Sequence, residues 1–187
     1  MAPDACGYLF LDVDGILNPE AFDLPGDWTT KEFGPYRVWI SQRLGDWLQR
    51  LEIHGVQIVW ATTWIEIADD LDDLAAAHGL PRDLPRIDRI EWLDEDGGAG
   101  CGKRPGVQRW LEEHGIDPRD TPVAWVDDCL GPADQRHARA VGIHAIKVPP
   151  RLGLAAPGQR VRIEQALGVE PDRSGSVAAD DAVTSAT

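Results

Sequence analysis

A chain of 187 residues with 43% hydrophobic side chains has room for one sizeable core, and its formal net charge of −14 excludes electrostatic capture by a long nucleic acid or an anionic membrane, leaving only local basic clusters for such contacts. No apolar run approaches the roughly 20 residues that span a bilayer, and the start Met-Ala-Pro-Asp-Ala-Cys lacks the basic and apolar regions of a signal peptide, so a cytoplasmic protein is expected. Cys6, Cys101 and Cys129 stand at unrelated spacings, which predicts reduced thiols rather than a disulfide framework or a zinc site; Cys101 before a lysine and Cys129 after two acids leave a redox influence on activity open.

Tyr8 to Leu11 is apolar and runs straight into Asp12-Val13-Asp14-Gly15, the pattern of a buried strand whose C-terminal end emerges at a charged site. Pro19 to Pro35 is rich in Gly, Pro, Asp and Trp and predicts turns with a short hairpin. Trp39, Ile40, Leu44, Trp47, Leu48 and Leu51 recur at helical spacing, and His54-Gly55 ends that helix. Val56 to Ala61 is a β-branched apolar run, a second strand that ends in the hydroxyls of Thr62-Thr63. Ile65 to Ala77 is acidic and helical in pattern, closing at His78-Gly79.

In Pro81 to Gly100 the one candidate strand is Ile87 to Leu93. Gly102-Lys103-Arg104-Pro105 leads into a helix over Gly106 to His114, on which Val107, Trp110 and Leu111 share a face. Val123 to Val126 is a third apolar run and ends in Asp127-Asp128. A helix over Pro132 to Val141, a strand over His144 to Val148 and a helix over Gly158 to Leu167 follow. Strands alternating with helices predict an α/β fold with a central parallel sheet and helices on both faces, a single domain over residues 1–170 and a disordered tail over 171–187. Three of the strands end in reactive polar groups, which such a sheet brings to one edge.

The chemistry-bearing residues come in a fixed succession: the acids Asp12 and Asp14, a hydroxyl at Thr62 with Thr63 as its alternative, a base at Lys103 with Arg104 as its alternative, and the acids Asp127 and Asp128. Each alone has an ordinary explanation, since Asp-Gly pairs favour turns, Thr and Asp cap helices, and Lys-Arg pairs are usually solvated. Independent turns have no reason to reproduce the order. The succession resembles the haloacid dehalogenase (HAD) superfamily of phosphohydrolases, which carries strand-Asp-x-Asp-Gly, strand-Thr, helix-starting Lys and strand-Asp-Asp motifs. Within it, Leu11-Asp-Val-Asp-Gly-Ile-Leu-Asn-Pro19 together with Trp60-Ala-Thr-Thr-Trp64 is similar to the phosphatase domain of bacterial Swiss army knife RNA-repair proteins.

The resemblance implies a three-layer Rossmann-like, HAD-like fold and a Mg²⁺-dependent phosphomonoester hydrolase. Asp12 would be the nucleophile and form an aspartyl-phosphate; Asp14 would protonate the leaving group and then activate water. Asp12, the Asp14 carbonyl and Asp127 would hold Mg²⁺, with Asp128 either a ligand through water or the partner of Lys103. Lys103 would balance the crowded carboxylates, and Thr62 would donate to a phosphoryl oxygen. Dehalogenases of the superfamily lack an acid at the place of Asp14 and the related transport ATPases carry threonine there, so this chain is expected to act on phosphate esters.

The two insertion points that hold lid domains in that superfamily are short here, Pro19 to Trp39 and Pro81 to Cys101, which predicts a capless, open site that admits bulky or polymeric substrates such as nucleotide or polynucleotide ends, or one that a partner closes. Arg82, Arg86, Arg89, Arg104 and Arg109 either form a basic rim for a polyanion or pair with the acids around them. Trp28 and Trp64 are candidates to stack on a substrate ring, with core packing as the other reading of all eight tryptophans. His54, His78 and His114 each precede a glycine at a helix end and read as structural, while His137 and His144 show no ligand spacing. Two other classes compete with the phosphatase: a phosphoacceptor signalling module, in which the lysine would follow all of the acids, and a catalytically silent partner-binding domain.

Overall fold

The computed structural model describes residues 5–21, 23–24, 26–33, 35–91 and 102–171. In chain order it contains β1 (Gly7–Leu11), a hairpin of β2 (Thr29–Phe33) and β3 (Tyr36–Ile40), α1 (Gln42–Ile53), β4 (Val56–Trp60), α2 (Ala68–Ala77), α3 (Arg104–Glu113), β5 (Val123–Asp127), α4 (Pro132–Val141), β6 (His144–Lys147) and α5 (Gln159–Leu167). Single 3₁₀ turns cover Thr63–Glu66 and Gly153–Ala155.

Strands β4, β1, β5 and β6 lie side by side in that order, all parallel. The pleat sends alternate residues of β1 to opposite faces, so Leu9 and Leu11 pack with α1, α2 and α5 while Tyr8 and Phe10 pack with α3 and α4. Every residue of β1 and β5 is buried, as a strand covered on both faces must be. The expected α/β class with helices on both faces is therefore the observed one. An ionic tie joins the outer layer, where buried Glu164 of α5 accepts from Trp47 Nε1 of α1 at 2.8 Å and pairs with the partly exposed Arg50.

Of the departures from the sequence reading, the following have plain local reasons. Trp39 and Ile40 belong to β3, where they pair with Thr30 and Thr29, and not to the helix that their spacing suggested. Ser41 sets the true start of α1: its Oγ accepts from the Leu44 N–H at 3.2 Å and donates to Asp27, whose carboxylate also accepts from the Arg43 N–H at 2.9 Å. In place of a strand over Ile87 to Leu93, the segment makes one isolated bridge between Arg86 and Trp60, with Trp60 N–H donating to Pro85 O and Ile87 N–H to Trp60 O. This short bridge covers the free edge of β4. Trp92 and Leu93 of that expected strand lie outside the described residues, as do Cys101 and nearly all of the tail over 171–187. Among the described residues no helix is long and apolar enough to cross a membrane.

Candidate active site

The three neighbouring strands β4, β1 and β5 all end at the same edge of the sheet, and a polar residue stands at the end of each or within two residues of it. Asp12 follows β1 and is 4% exposed, with Oδ1 accepting from the Val13 N–H at 2.8 Å. Asp127 closes β5 with no exposed surface, and its Oδ1 accepts from the Cys129 N–H at 2.8 Å. Lys103, immediately before α3 and 3% exposed, bridges the two: its ammonium donates to Asp12 Oδ2 and, at 2.8 Å, to Asp127 Oδ2.

One ammonium between two buried carboxylates leaves negative charge in excess. Burial pushes the Asp12 and Asp127 carboxyls above the usual carboxylate range, against the opposing pull of Lys103. Lys103 is held above its ordinary value because the attraction of both acids outweighs the burial that acts on it first. The two acids repel each other, and a further cation would relieve that repulsion.

Thr62 follows β4 with no exposed surface; its Oγ accepts from the Trp64 N–H at 3.4 Å, which starts the 3₁₀ turn and leaves the hydroxyl proton available to donate. Thr63 is exposed. Of the two alternatives, Thr62 is thus the one at the strand end, and Lys103 rather than Arg104 is the base between the acids. Arg104 opens α3 and its charge acts, after burial, to lower the His137 pKa.

Asp14 is exposed on the tight turn after β1, where the Val13 carbonyl accepts from the N–H groups of Ile16, Leu17 and Asn18. Its carboxylate is held from two sides, Oδ1 by Asn18 Nδ2 at 3.2 Å and Oδ2 by Trp64 Nε1 at 2.9 Å. Asp128 lies against the Gly15 backbone and makes no bond to Lys103, so of its two expected roles the partner of Lys103 is not the one observed. Ligand atoms of Asp127, Asp128 and Cys129 all lie within 4.8 Å of one another. The Cys129 thiol is pushed up to about 11, by burial and then by Asp128, so it stays protonated at neutral pH and is a poor redox sensor.

The alternatives left open for the tryptophans and arginines are narrowed here. Trp64 is 4% exposed and serves Asp14, so it is not a platform for a substrate ring; Trp28 is half-buried and packs on the core. The arginines before and within α3 do not form a free rim. Arg82 pairs with Asp73, Arg86 with Asp72, Arg89 with Glu91, and Arg109 with Asp88 and Glu91, while Arg104 also has a partner. The sequence reading missed the two residues that grip Asp14. For Asn18 a signal existed, since a side-chain amide four residues on in a turn can reach back to a carboxylate; the Trp64 contact depends on how β4 lies beside β1, which local sequence does not carry.

A parallel sheet with Asp12, Thr62 and Asp127 at adjacent strand ends, a lysine bridging the acids, and no large cap among the described residues defines a HAD-like α/β domain. The chain belongs to the family described as the HAD domain in Swiss Army Knife RNA repair proteins, whose model matches residues 8–158. Among curated proteins none matches the chain.

Proposed function

We propose that the chain is a Mg²⁺-dependent phosphomonoester hydrolase that works through an aspartyl-phosphate on Asp12 and takes phosphorylated nucleotide or polynucleotide ends as substrates. The single observation that carries the reading is the Lys103 ammonium shared by the carboxylates of Asp12 and Asp127 at the ends of neighbouring strands. An ordinary structural ion pair needs one acid. Two buried acids around one base, both with raised pKa values, make a site with charge left over for a cation and a phosphoryl group.

In the first step the Asp12 carboxylate attacks phosphorus, the bond to the leaving oxygen breaks, and Asp14 gives that oxygen a proton. In the second, Asp14 takes a proton from water as the water displaces Asp12, which returns the carboxylate and releases phosphate. Lys103 holds the nucleophile and balances the charge that the phosphoryl oxygens bring, and Thr62 donates its hydroxyl proton to one of them. The oxygen-rich donor set of Asp12, the Asp14 carbonyl, Asp127 and Asp128 fits a hard divalent ion, so these residues would hold Mg²⁺. When bound, the ion lowers the repulsion between the attacking carboxylate and the phosphate dianion. The family's description and the short connections around the site support an RNA or DNA end as the bulky substrate.

The test is a phosphate-release screen with Mg²⁺ over small phosphomonoesters and 3′-phosphorylated oligonucleotides, with Asp12→Asn alongside. Turnover that Asp12→Asn abolishes supports the reading. Silence across the panel, or full activity in Asp12→Asn, removes it.

A further inference from the structure

Asp14 is exposed on a turn, where a free carboxylate would exchange among rotamers, yet both of its oxygens are held by side chains whose own positions are set elsewhere. Trp64 is the stronger of the two, nearly enclosed and donating its indole N–H at 2.9 Å. The β2–β3 hairpin supports both donors. The Tyr36 ring packs on the Trp64 indole with centroids 4.8 Å apart, and the Trp39 N–H donates to Asn18 Oδ1 at 3.2 Å, which orients the amide toward Asp14.

A plain structural account would have Asp14 present merely to satisfy a buried indole. Burial alone does not secure such a partner in this chain: Trp47 Nε1 has Glu164, but Trp60 and Trp125 are more deeply buried than Trp64 and neither Nε1 has a hydrogen-bond partner. Among the described residues two core indoles reach a carboxylate: Trp47 reaches Glu164 in the helix layer, and Trp64, at the site, reaches the one proposed to move protons.

We propose that Trp64 is a positioning residue that, with Asn18, fixes the Asp14 carboxyl for proton transfer to the leaving-group oxygen. The inference rests on the reading of Asp14 as the acid and base of a phosphatase. A proton donor works only when it is held within hydrogen-bond reach of the atom it serves. The requirement is sharpest for an alkoxide leaving group, which cannot depart without a proton, and slight for p-nitrophenolate, which departs as an anion. The bond between Asp12 and phosphorus forms in both cases, so the two leaving groups separate proton delivery from nucleophilic attack.

The experiment measures kcat/KM, which covers the steps up to cleavage of the leaving-group bond, for p-nitrophenyl phosphate and for glycerol phosphate. In Trp64→Phe the ring stays and the N–H is lost, and the ratio of the aryl to the alkyl value is expected to rise about tenfold or more over wild type. A ratio within about threefold of wild type overturns the inference, because general damage to the fold lowers both values together. Should Trp64→Phe not fold, benzothienylalanine at position 64, which puts sulfur in place of the indole N–H at nearly the same volume, is held to the same ratio. Asp14→Asn keeps the two readings apart: if wild type releases phosphate from neither these esters nor 3′-phosphorylated oligonucleotides, or Asp14→Asn does not skew the ratio, the phosphatase mechanism fails. If Asp14→Asn skews the ratio and both changes at Trp64 leave it alone, only the positioning role fails.

Discussion

Lys103 Nζ donates to Asp127 Oδ2 at 2.8 Å across the end of the sheet while the same ammonium reaches Asp12 from the other side. The three groups are almost wholly enclosed, so little water screens them and the lysine is the main compensation for both acids. Lys103→Met keeps the length of the side chain and removes the charge. The variant should lose about 3 kcal/mol of stability in EDTA, the range seen when one partner of a buried ion pair is deleted, and at least about 100-fold in turnover. Adding Mg²⁺ should recover more stability in the variant than in wild type, because the cation then meets carboxylates with no other counter-charge. Urea denaturation with and without Mg²⁺ checks this; equal stability of the two proteins in EDTA would show that the ammonium compensates nothing.

Gly15 links the acid turn to Asp128. Its φ is +70°, a conformation unfavourable for other residues, and an added Cβ would stand 2.8 Å from Asp128 Cγ and Oδ2 and 2.9 Å from Pro150 Cβ. Gly15→Ala should therefore cost about 1–2 kcal/mol from backbone strain and push the Asp128 carboxylate aside. If Asp128 contributes to the cation site, the Mg²⁺ concentration for half-maximal activity rises by about threefold or more. A drop in melting temperature with an unchanged Mg²⁺ requirement would exclude Asp128 from that site.

What the sequence disclosed, and what it hid, follows from how local each signal is. The strand ends at Asp12 and Asp127 were legible because an apolar run that turns acidic has one physical reading. The α4 boundaries, Pro132–Val141, were legible because proline at the first turn and glycine after the last mark them directly. Trp39 and Ile40 misled, since two large apolar residues fit the helical stripe of α1 as well as the strand they occupy, and only the Ser41 cap separates them. The sequence left open whether Asp128 holds Lys103 or a cation through water, because adjacent acids point to different places once β5 ends, and strand pleat, not sequence, puts Asp127 on the lysine. The arginines gave no rim because the acids that pair with them come mostly from α2 and from the turn before α3, a tertiary meeting that charge counts do not carry.

Gly45 tests the packing that holds the helix layer on the sheet. It lies inside α1, where alanine would ordinarily stabilise a helix by about 1 kcal/mol. Here the added Cβ would meet the His78 carbonyl oxygen at 2.7 Å, at the end of α2, and that same oxygen accepts from Gln49 Nε2 at 3.2 Å. Backbone cannot swing aside as a flexible side chain can, so Gly45→Ala should destabilise the protein by about 1–3 kcal/mol and lower its melting temperature. A higher melting temperature in the variant would mean that α1 and α2 can separate without loss.

His78 makes the acid side of stability measurable. Both ring nitrogens are buried without a hydrogen-bond partner, and burial lowers its pKa from the ordinary 6.5 to about 4. The unfolded chain therefore takes up a proton on this ring as pH falls below 6.5, while the folded chain does so only near 4. The contribution of His78 to stability is complete above 6.5 and is lost as the pH falls from there through 4, by an amount of up to about 3 kcal/mol. The helix dipole, which favours a cation at this end of α2, is too weak to offset the loss of hydration. His78→Leu removes the titrating group and keeps the apolar contact, so denaturation at pH 7 and at pH 4.5 should show a smaller acid-induced loss in the variant than in wild type. At pH 7 the leucine should be no worse than the histidine, since it leaves no buried nitrogen unpaired. If the two proteins lose the same stability on acidification, the ring is hydrated or paired in solution and the carboxylates alone set the acid limb.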